Sequence, residues 1–371
     1  MRGFTCEDGG SNPPLRPNTT DTDASNQSWF DIHINTEGFE FDSESDDGHN
    51  KNGDTYIYMA IRRGPMKTAE DATKVFSADH LTNGSKPGYK PGFPVDWGIH
   101  KALTGTQNWI AWDRLRGDHE LRFNTNDQEQ SNNNFIGDNM VGFYDYSTAD
   151  STYIGYSFRR APGFFDIVTY TGTGSANNVP HNLGVVPEMV IVKCRSHSES
   201  WYVYHKDLGN THAGILDDAM APFDSDQPWN DTSPTSTVFT VNTENGVNGS
   251  GRKYVAYLFT SLAGISKVGT YEGTGQNGGD TTINMGFTGS PSFLLIKNGD
   301  SESYNWVLLD STRGLESGKY LRPNLDYAES TGWTGSNEII ENITGGVKIL
   351  DTAASSAINN SGDTYIYLAI A

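Results

Sequence analysis

Gly362-Asp363-Thr364-Tyr365-Ile366-Tyr367-Leu368-Ala369-Ile370 has a near copy at Gly53-Asp54-Thr55-Tyr56-Ile57-Tyr58-Met59-Ala60-Ile61. Weaker copies stand at Tyr153-Ile154-Gly155-Tyr156-Ser157-Phe158 and Tyr254-Val255-Ala256-Tyr257-Leu258-Phe259. Tyrosine and β-branched residues alternate with other apolar side chains after a polar Gly/Ser/Asp turn. That pattern predicts a strand apolar enough to be buried on both faces. Recurrence about every 100 residues predicts an array of related units, and the rest of the chain divides accordingly.

Residues 1–65 read as the C-terminal part of a β-module. Leu15-Arg16-Pro17-Asn18 followed by Gly53 parallels Leu321-Arg322-Pro323-Asn324 followed by Gly362, at almost the same separation. The strands expected before this half-module are either truncated or supplied by another chain, truncation being the simpler expectation. Residues 66–163 read as a divergent β-module. Residues 164–265 and 266–371 read as two β-sandwich modules on one plan. In these, Glu188-Met189-Val190-Ile191-Val192-Lys193 corresponds to Ser292-Phe293-Leu294-Leu295-Ile296-Lys297. Arg62-Arg63-Gly64-Pro65 and Arg159-Arg160-Ala161-Pro162 read as linkers, since proline fixes φ and cannot donate to a ladder. The fold class is all-β, with tandem jelly-roll-like sandwiches and an incomplete first module.

The 371 residues include 41 Gly and carry a formal charge of −20. Such a balance excludes a nucleic-acid groove, which needs clustered Lys and Arg, and argues against docking on an anionic membrane. No stretch approaches the roughly 18 apolar residues of a membrane span, so no membrane insertion is expected. Met1-Arg2-Gly3-Phe4-Thr5-Cys6 lacks the apolar core of a signal peptide. Cys6 and Cys194 fall in different modules, too few for a disulfide framework.

The Gly-Asp-Thr-Tyr-Ile-Tyr strand, the Arg-Arg-x-Pro linkers, His181-Asn182-Leu183-Gly184-Val185-Val186-Pro187-Glu188-Met189 and Tyr254 to Phe259 resemble a β-rich repeat family of tailed-phage proteins, chiefly marine. The family occurs in virion structural and tail-fibre-like proteins. The resemblance spans essentially the whole chain and implies a particle-borne protein. It implies no catalytic residues. Other virion proteins are the expected partners, with host surface glycan or protein behind them. A homo-oligomer is expected by analogy with tail fibres, a trimer in the first instance.

Candidate chemistry is sparse. Trp109, Trp201 and Trp306 open the same strand in three modules, which fits core packing. Trp97, Trp229 and Trp333 lie in Gly/Asn/Ser/Pro-rich stretches and are the expected loop aromatics of a binding surface, since stacking sites concentrate on loops. His181 in His-Asn-Leu-Gly reads as a turn-capping residue more than a ligand. Asp21-Thr22-Asp23 and the acidic run Asp42 to Asn50 offer oxygens for calcium without the spacing of a calcium loop, so no cofactor is expected apart from that option. No nucleophile elbow, zinc motif or phosphate loop is present. The expected function is adhesion by a tail fibre or host-recognition appendage. A purely architectural role, as capsid decoration or fibre shaft, is the alternative, and a glycan depolymerase stands third.

Overall fold

The computed structural model describes residues 32–34, 39–41, 51–59, 67–82, 88–117, 119–131, 135–136, 142–145, 152–331, 339–351 and 356–371. Three antiparallel sheets dominate. The first contains β1 (Phe76–His80), β2 (Trp97–Ala102), β3 (Ile110–Asp113), β4 (His119–Arg122), β5 (Gln130–Ser131) and β6 (Tyr153–Phe158), in the order β1-β6-β2-β3-β4-β5. Next come β7 (Phe165–Thr171), β8 (Asn177–Pro180), β9 (Met189–Cys194), β10 (Tyr202–His205), β11 (His212–Ile215), β12 (Phe223–Asp224), β13 (Val238–Val241) and β14 (Lys253–Phe259). The second sheet runs β7-β14-β9-β10-β11-β12, and β8 pairs with β13. The remainder supplies β15 (Ser266–Glu272), β16 (Thr281–Asn284), β17 (Phe293–Asn298), β18 (Val307–Asp310), β19 (Ile340–Ile343), β20 (Gly346–Ile349) and β21 (Thr364–Ile370). The third sheet runs β15-β21-β17-β18, beside a small sheet β16-β20-β19. Within residues 1–65 the structure describes the pair Ile32–Ile34 with Phe39–Phe41 and the segment 51–59.

In each of the three large sheets the strand latest in the chain, β6, β14 or β21, is threaded between the first strand and the next one. A strand hydrogen-bonded on both edges must also bury both faces, which is why these sequences carry so few polar side chains. Alternation then sends successive residues to opposite sides. From β14, Val255, Tyr257 and Phe259 enter one core while Tyr254, Ala256 and Leu258 enter another. From β21, Ile366, Leu368 and Ile370 separate in the same way from Tyr365, Tyr367 and Ala369.

The outward cores belong to single sheets. Val179 and Phe239 of the β8–β13 pair cover the second sheet, and Ile283, Ile340 and Val347 cover the third. Over the first sheet the cover is Tyr89 and Phe143. Their rings come so close that a Cβ at Gly155 would lie 2.5 Å from Tyr89, which explains why the copy of the motif carries glycine there. The all-β sandwich reading therefore holds. What the tandem pattern does not foretell is that the inward faces meet. Trp97, Ile99, Tyr156 and Phe158 of the first sheet share one core with Ile191 and Tyr257 of the second and with Phe293, Leu295 and Leu368 of the third. A cavity of about 20 Å³ remains at the centre, with Trp97, Ile191, Phe293 and Leu368 in its wall.

The connections are pinned as well. After β6, Arg160 pairs with Asp166 at 2.7 Å, and its amide donates to Asp96 Oδ2 at 2.8 Å. The Arg159-Arg160-Ala161-Pro162 linker is thus packed into the body between the first two sheets.

Candidate functional site

The groups capable of chemistry are concentrated where one sheet meets the next. Trp109, Trp201 and Trp306 each immediately precede a strand (β3, β10, β18) and are fully buried. Each indole donates out of its own sheet. Trp201 Nε1 donates to Arg122 O at the end of β4 at 2.9 Å, and Trp306 Nε1 to Ile215 O at the end of β11 at 2.8 Å. Trp109 Nε1 donates to Arg322 O and Leu325 O, at 3.0 and 3.1 Å, in the loop after β18. The second sheet therefore holds the first, the third holds the second, and the first holds the third.

Three buried lysines trace the same circuit. Lys193 Nζ donates to Asn126 O at 3.0 Å, Lys297 Nζ to Ala219 O at 2.8 Å, and Lys101 Nζ to Asp326 O at 3.1 Å. Burial pushes each ammonium down to about 8, opposed by Asp217 at Lys193, Asp218 at Lys297 and Asp326 at Lys101. All three also donate to a second carbonyl, so their protons are spent on holding backbone.

Two of the three junctions contain a buried ionic chain. Tyr257 Oη donates to Asp113 Oδ2 at 2.7 Å, and the same carboxylate pairs with Arg116. Arg116 reaches Glu129 at 3.2 Å, and Glu129 takes a two-pronged contact from Arg195 of the neighbouring sheet at 2.8 and 3.0 Å. Burial works against the charge on Arg116, yet Asp113 and Glu129 outweigh it and hold the guanidinium well above its ordinary range. Burial would likewise raise Glu129, but Arg116 and Arg195 pull it below the usual carboxylate value. The junction of the first and third sheets has the same parts: Tyr156 Oη donates to Asp310 Oδ2 at 2.8 Å, Asp310 pairs with Arg313, and Arg313 meets Glu329 at 3.2 Å.

The remaining junction departs from this pattern. Ladder register places His205 opposite Met189 where Asp113 stands opposite Trp97 and Asp310 opposite Phe293. Leu368, opposite Leu295, takes the place of Tyr257, opposite Ile191. Leu208 replaces the arginine three residues on and packs on the central core. Burial pushes the His205 imidazole down to about 4, with Asp207 partly opposing. Asp207 Oδ2 stands 3.9 Å from Nδ1, so burial outweighs this pairing and the ring stays uncharged at neutral pH.

The loop aromatics expected from the sequence fare differently. Trp97 is the first residue of β2, not a loop residue; it is 2% exposed and stacks on Tyr257 with centroids 4.3 Å apart. Trp229 ends a short helix, Asp226–Trp229, and is 2% exposed, edge-on to Tyr204. Neither presents a stacking face to solvent, which corrects that expectation. Trp333 lies outside the described residues, as do Asp21-Thr22-Asp23 and the acidic run Asp42 to Asn50. His181 accepts at Nδ1 from the Leu183 amide at 3.3 Å while Nε2 faces Thr235 O at 3.1 Å, so it braces its turn. Among the described residues no group of three His, Cys, Asp or Glu side chains is placed to hold a metal ion. No helix among them is long and apolar enough to cross a membrane.

The junction chemistry has a signal in the sequence, one that reads there only as a turn. Asp113-Arg114-Leu115-Arg116-Gly117 and Asp310-Ser311-Thr312-Arg313-Gly314 both come after the tryptophan strand with acid and arginine three apart. That spacing lets Asp Oδ1 cap the turn amide while Oδ2 meets the guanidinium.

Residues 157–371 match the family described as a domain of unknown function, DUF7483, and the chain belongs to that family. The matched part starts inside β6 and takes in the second and third sheets. No curated protein and no solved structure matches the chain.

Proposed function

We propose that this member of the DUF7483 family is a non-catalytic architectural protein of a tailed-phage particle, a rigid block rather than the adhesive tip. One observation supports this most: among the described residues, Trp109, Trp201, Trp306 and the buried Asp–Arg–Glu chains lock three sheets to one another. Of the three tryptophans expected to grip a sugar, Trp97 and Trp229 are inside, and Trp333 lies outside the described residues. An adhesin needs rings on its loops, whereas a load-bearing component needs its sheets tied together. The particle assignment draws on the resemblance of the closing strands and linkers to virion proteins.

Gradient-purified particles, probed by quantitative mass spectrometry and immunogold labelling, test the reading. The chain is expected at a fixed copy number on every particle, and the isolated protein is expected not to bind host cells. A chain that stays in the soluble fraction of the lysate overturns the assignment. Saturable binding of the isolated protein to host cells would favour attachment instead.

A further inference from the structure

His205 is the last residue of β10, where the second sheet meets the third. Its Nδ1 accepts the Asp207 amide at 3.3 Å, so the neutral ring carries its hydrogen on Nε2. Burial disfavours charge on this ring; Asp207 and, across the junction, the backbone of Tyr367 in β21 favour it. The turn that follows is closed by the Leu208 and Gly209 amides, which donate to His205 O at 3.1 and 3.2 Å. It delivers Leu208 to the central core and to the third sheet, where a Cβ on Gly299 would lie 3.7 Å from Leu208 Cδ2. One short turn thus couples the imidazole to an apolar contact between two sheets.

A second ring proton can enter only at Nδ1, and there it sets an N–H against the N–H of Asp207. Ring or turn must then move, and Leu208 moves with the turn. The groups around the ring offer little relief in place. Asp207 Oδ2 stands 3.9 Å from Nδ1 and is already paired with Lys206 Nζ at 2.7 Å. Met189, opposite His205 in β9, is apolar. From β21 comes Tyr367, whose hydroxyl is pushed up to about 12 by burial, with Asp207 and Glu188 adding to it, so it brings no charge. The other two junctions carry a carboxylate at this position, each with an arginine bound to it.

We propose that His205 is an acid latch: protonation of its ring opens the junction between the second and third sheets while the other two junctions stay closed. The third sheet stays joined to the second through the chain at 260–266. It stays joined to the first through Trp109 and the Tyr156–Asp310–Arg313 chain. The bonds released are those that cross the opened junction, Trp306 Nε1 to Ile215 O and Lys297 Nζ to Ala219 O.

The indole hydrogens test this, because Trp306, Trp201 and Trp109 each report one junction. Hydrogen exchange of the three Nε1–H groups is followed by NMR in the full chain carrying isotope-labelled tryptophan. Rates at pH 7.5 and 4.5 are each divided by that of free tryptophan at the same pH. With the ring at its ordinary 6.5 when open and about 4 when closed, the open-to-closed ratio should rise roughly 70-fold across this interval. Protection of Trp306 is expected to fall by that factor, and that of Trp201 and Trp109 by less than about threefold. In His205→Asn the amide oxygen takes the place of Nδ1 and cannot be protonated, so Trp306 should fall no further than the other two. Asp207→Asn, a change at a partly exposed side chain, removes a carboxylate that favours the charged ring and should lessen the fall. Equal losses at all three indoles mean that the fold gives way as a whole, and overturn the proposal. It is also overturned if Trp306 keeps its protection at pH 4.5, or if its fall survives His205→Asn or is undiminished in Asp207→Asn.

Discussion

Tyr257 and Asp113, 144 residues apart, share a hydrogen bond of 2.7 Å that ties the second sheet to the first. The carboxylate is already committed to Arg116, so the tyrosine closes a buried ionic chain instead of adding an isolated contact. Removing different members should therefore cost different amounts. Tyr257→Phe deletes one hydrogen bond to a charged acceptor and should cost about 1.5–3 kcal/mol. Asp113→Ala strands a buried guanidinium and should cost about 3–5 kcal/mol. Urea titration of the two variants and their double mutant checks this. The double variant should cost less than the sum, because the tyrosine has nothing left to lose.

Trp201 packs and donates at once, and the two roles can be separated. Trp201→Phe keeps an aromatic ring but leaves Arg122 O without its donor, an expected loss of about 1 kcal/mol plus a small packing term. Trp201→Ala should lose about 3–5 kcal/mol. The same ratio is expected at Trp306, and thermal unfolding of the four variants measures it. A Phe variant as damaging as Ala would mean that the indole N–H, not the ring, dominates.

His205 makes one junction sensitive to acid. Its folded value of about 4 lies below the ordinary 6.5, so between them the unfolded chain binds a proton that the folded chain refuses. The contribution is whole above pH 6.5 and is lost as pH falls toward 4, by up to about 3 kcal/mol. His205→Gln should lose less stability than the parent between pH 6.5 and 4.5 in urea midpoints. Parallel curves for the two proteins would exclude the imidazole as the cause.

The buried lysines act in alkali. With Lys101, Lys193 and Lys297 lowered to about 8 from 10.5, the unfolded chain holds more protons in that interval, and stability should rise with pH through it. Above pH 10 the trend should reverse. Tyr156 and Tyr257, raised by burial, resist ionising when folded and ionise freely when unfolded. Midpoints at pH 8, 9 and 10 should climb in the parent and climb less in Lys193→Met.

The closing strands are legible in the sequence because burial on both faces leaves a continuous apolar run, which Tyr254 to Phe259 and Tyr365 to Ile370 display. Trp109, Trp201 and Trp306 are legible as core for a similar reason, since each keeps its place relative to a strand. Trp97 is not. Its strand begins among Pro94, Asp96 and Gly98, and the small residue that makes the sequence look loop-like is what admits the Phe143 ring. Trp229 sits in a Pro- and Asn-rich segment, and Tyr204 on a distant strand covers it. The junctions are invisible for a general reason. Periodicity reports which face of a strand is apolar, and carries nothing about whether that face meets its own cover or the side of a neighbour.

The tryptophan circuit also bears on how the molecule is made. Trp201 and Trp306 donate to carbonyls 79 and 91 residues behind them, already synthesised when each indole emerges. Trp109 donates to a carbonyl 213 residues ahead. On a ribosome moving from the N-terminus, two fastenings can form as the chain grows, while the third must wait for the loop after β18. The first sheet is therefore the earliest to appear and the last to be secured. Until then its inner face, Trp109 included, is left to chaperones or to the slow search that distant contacts impose.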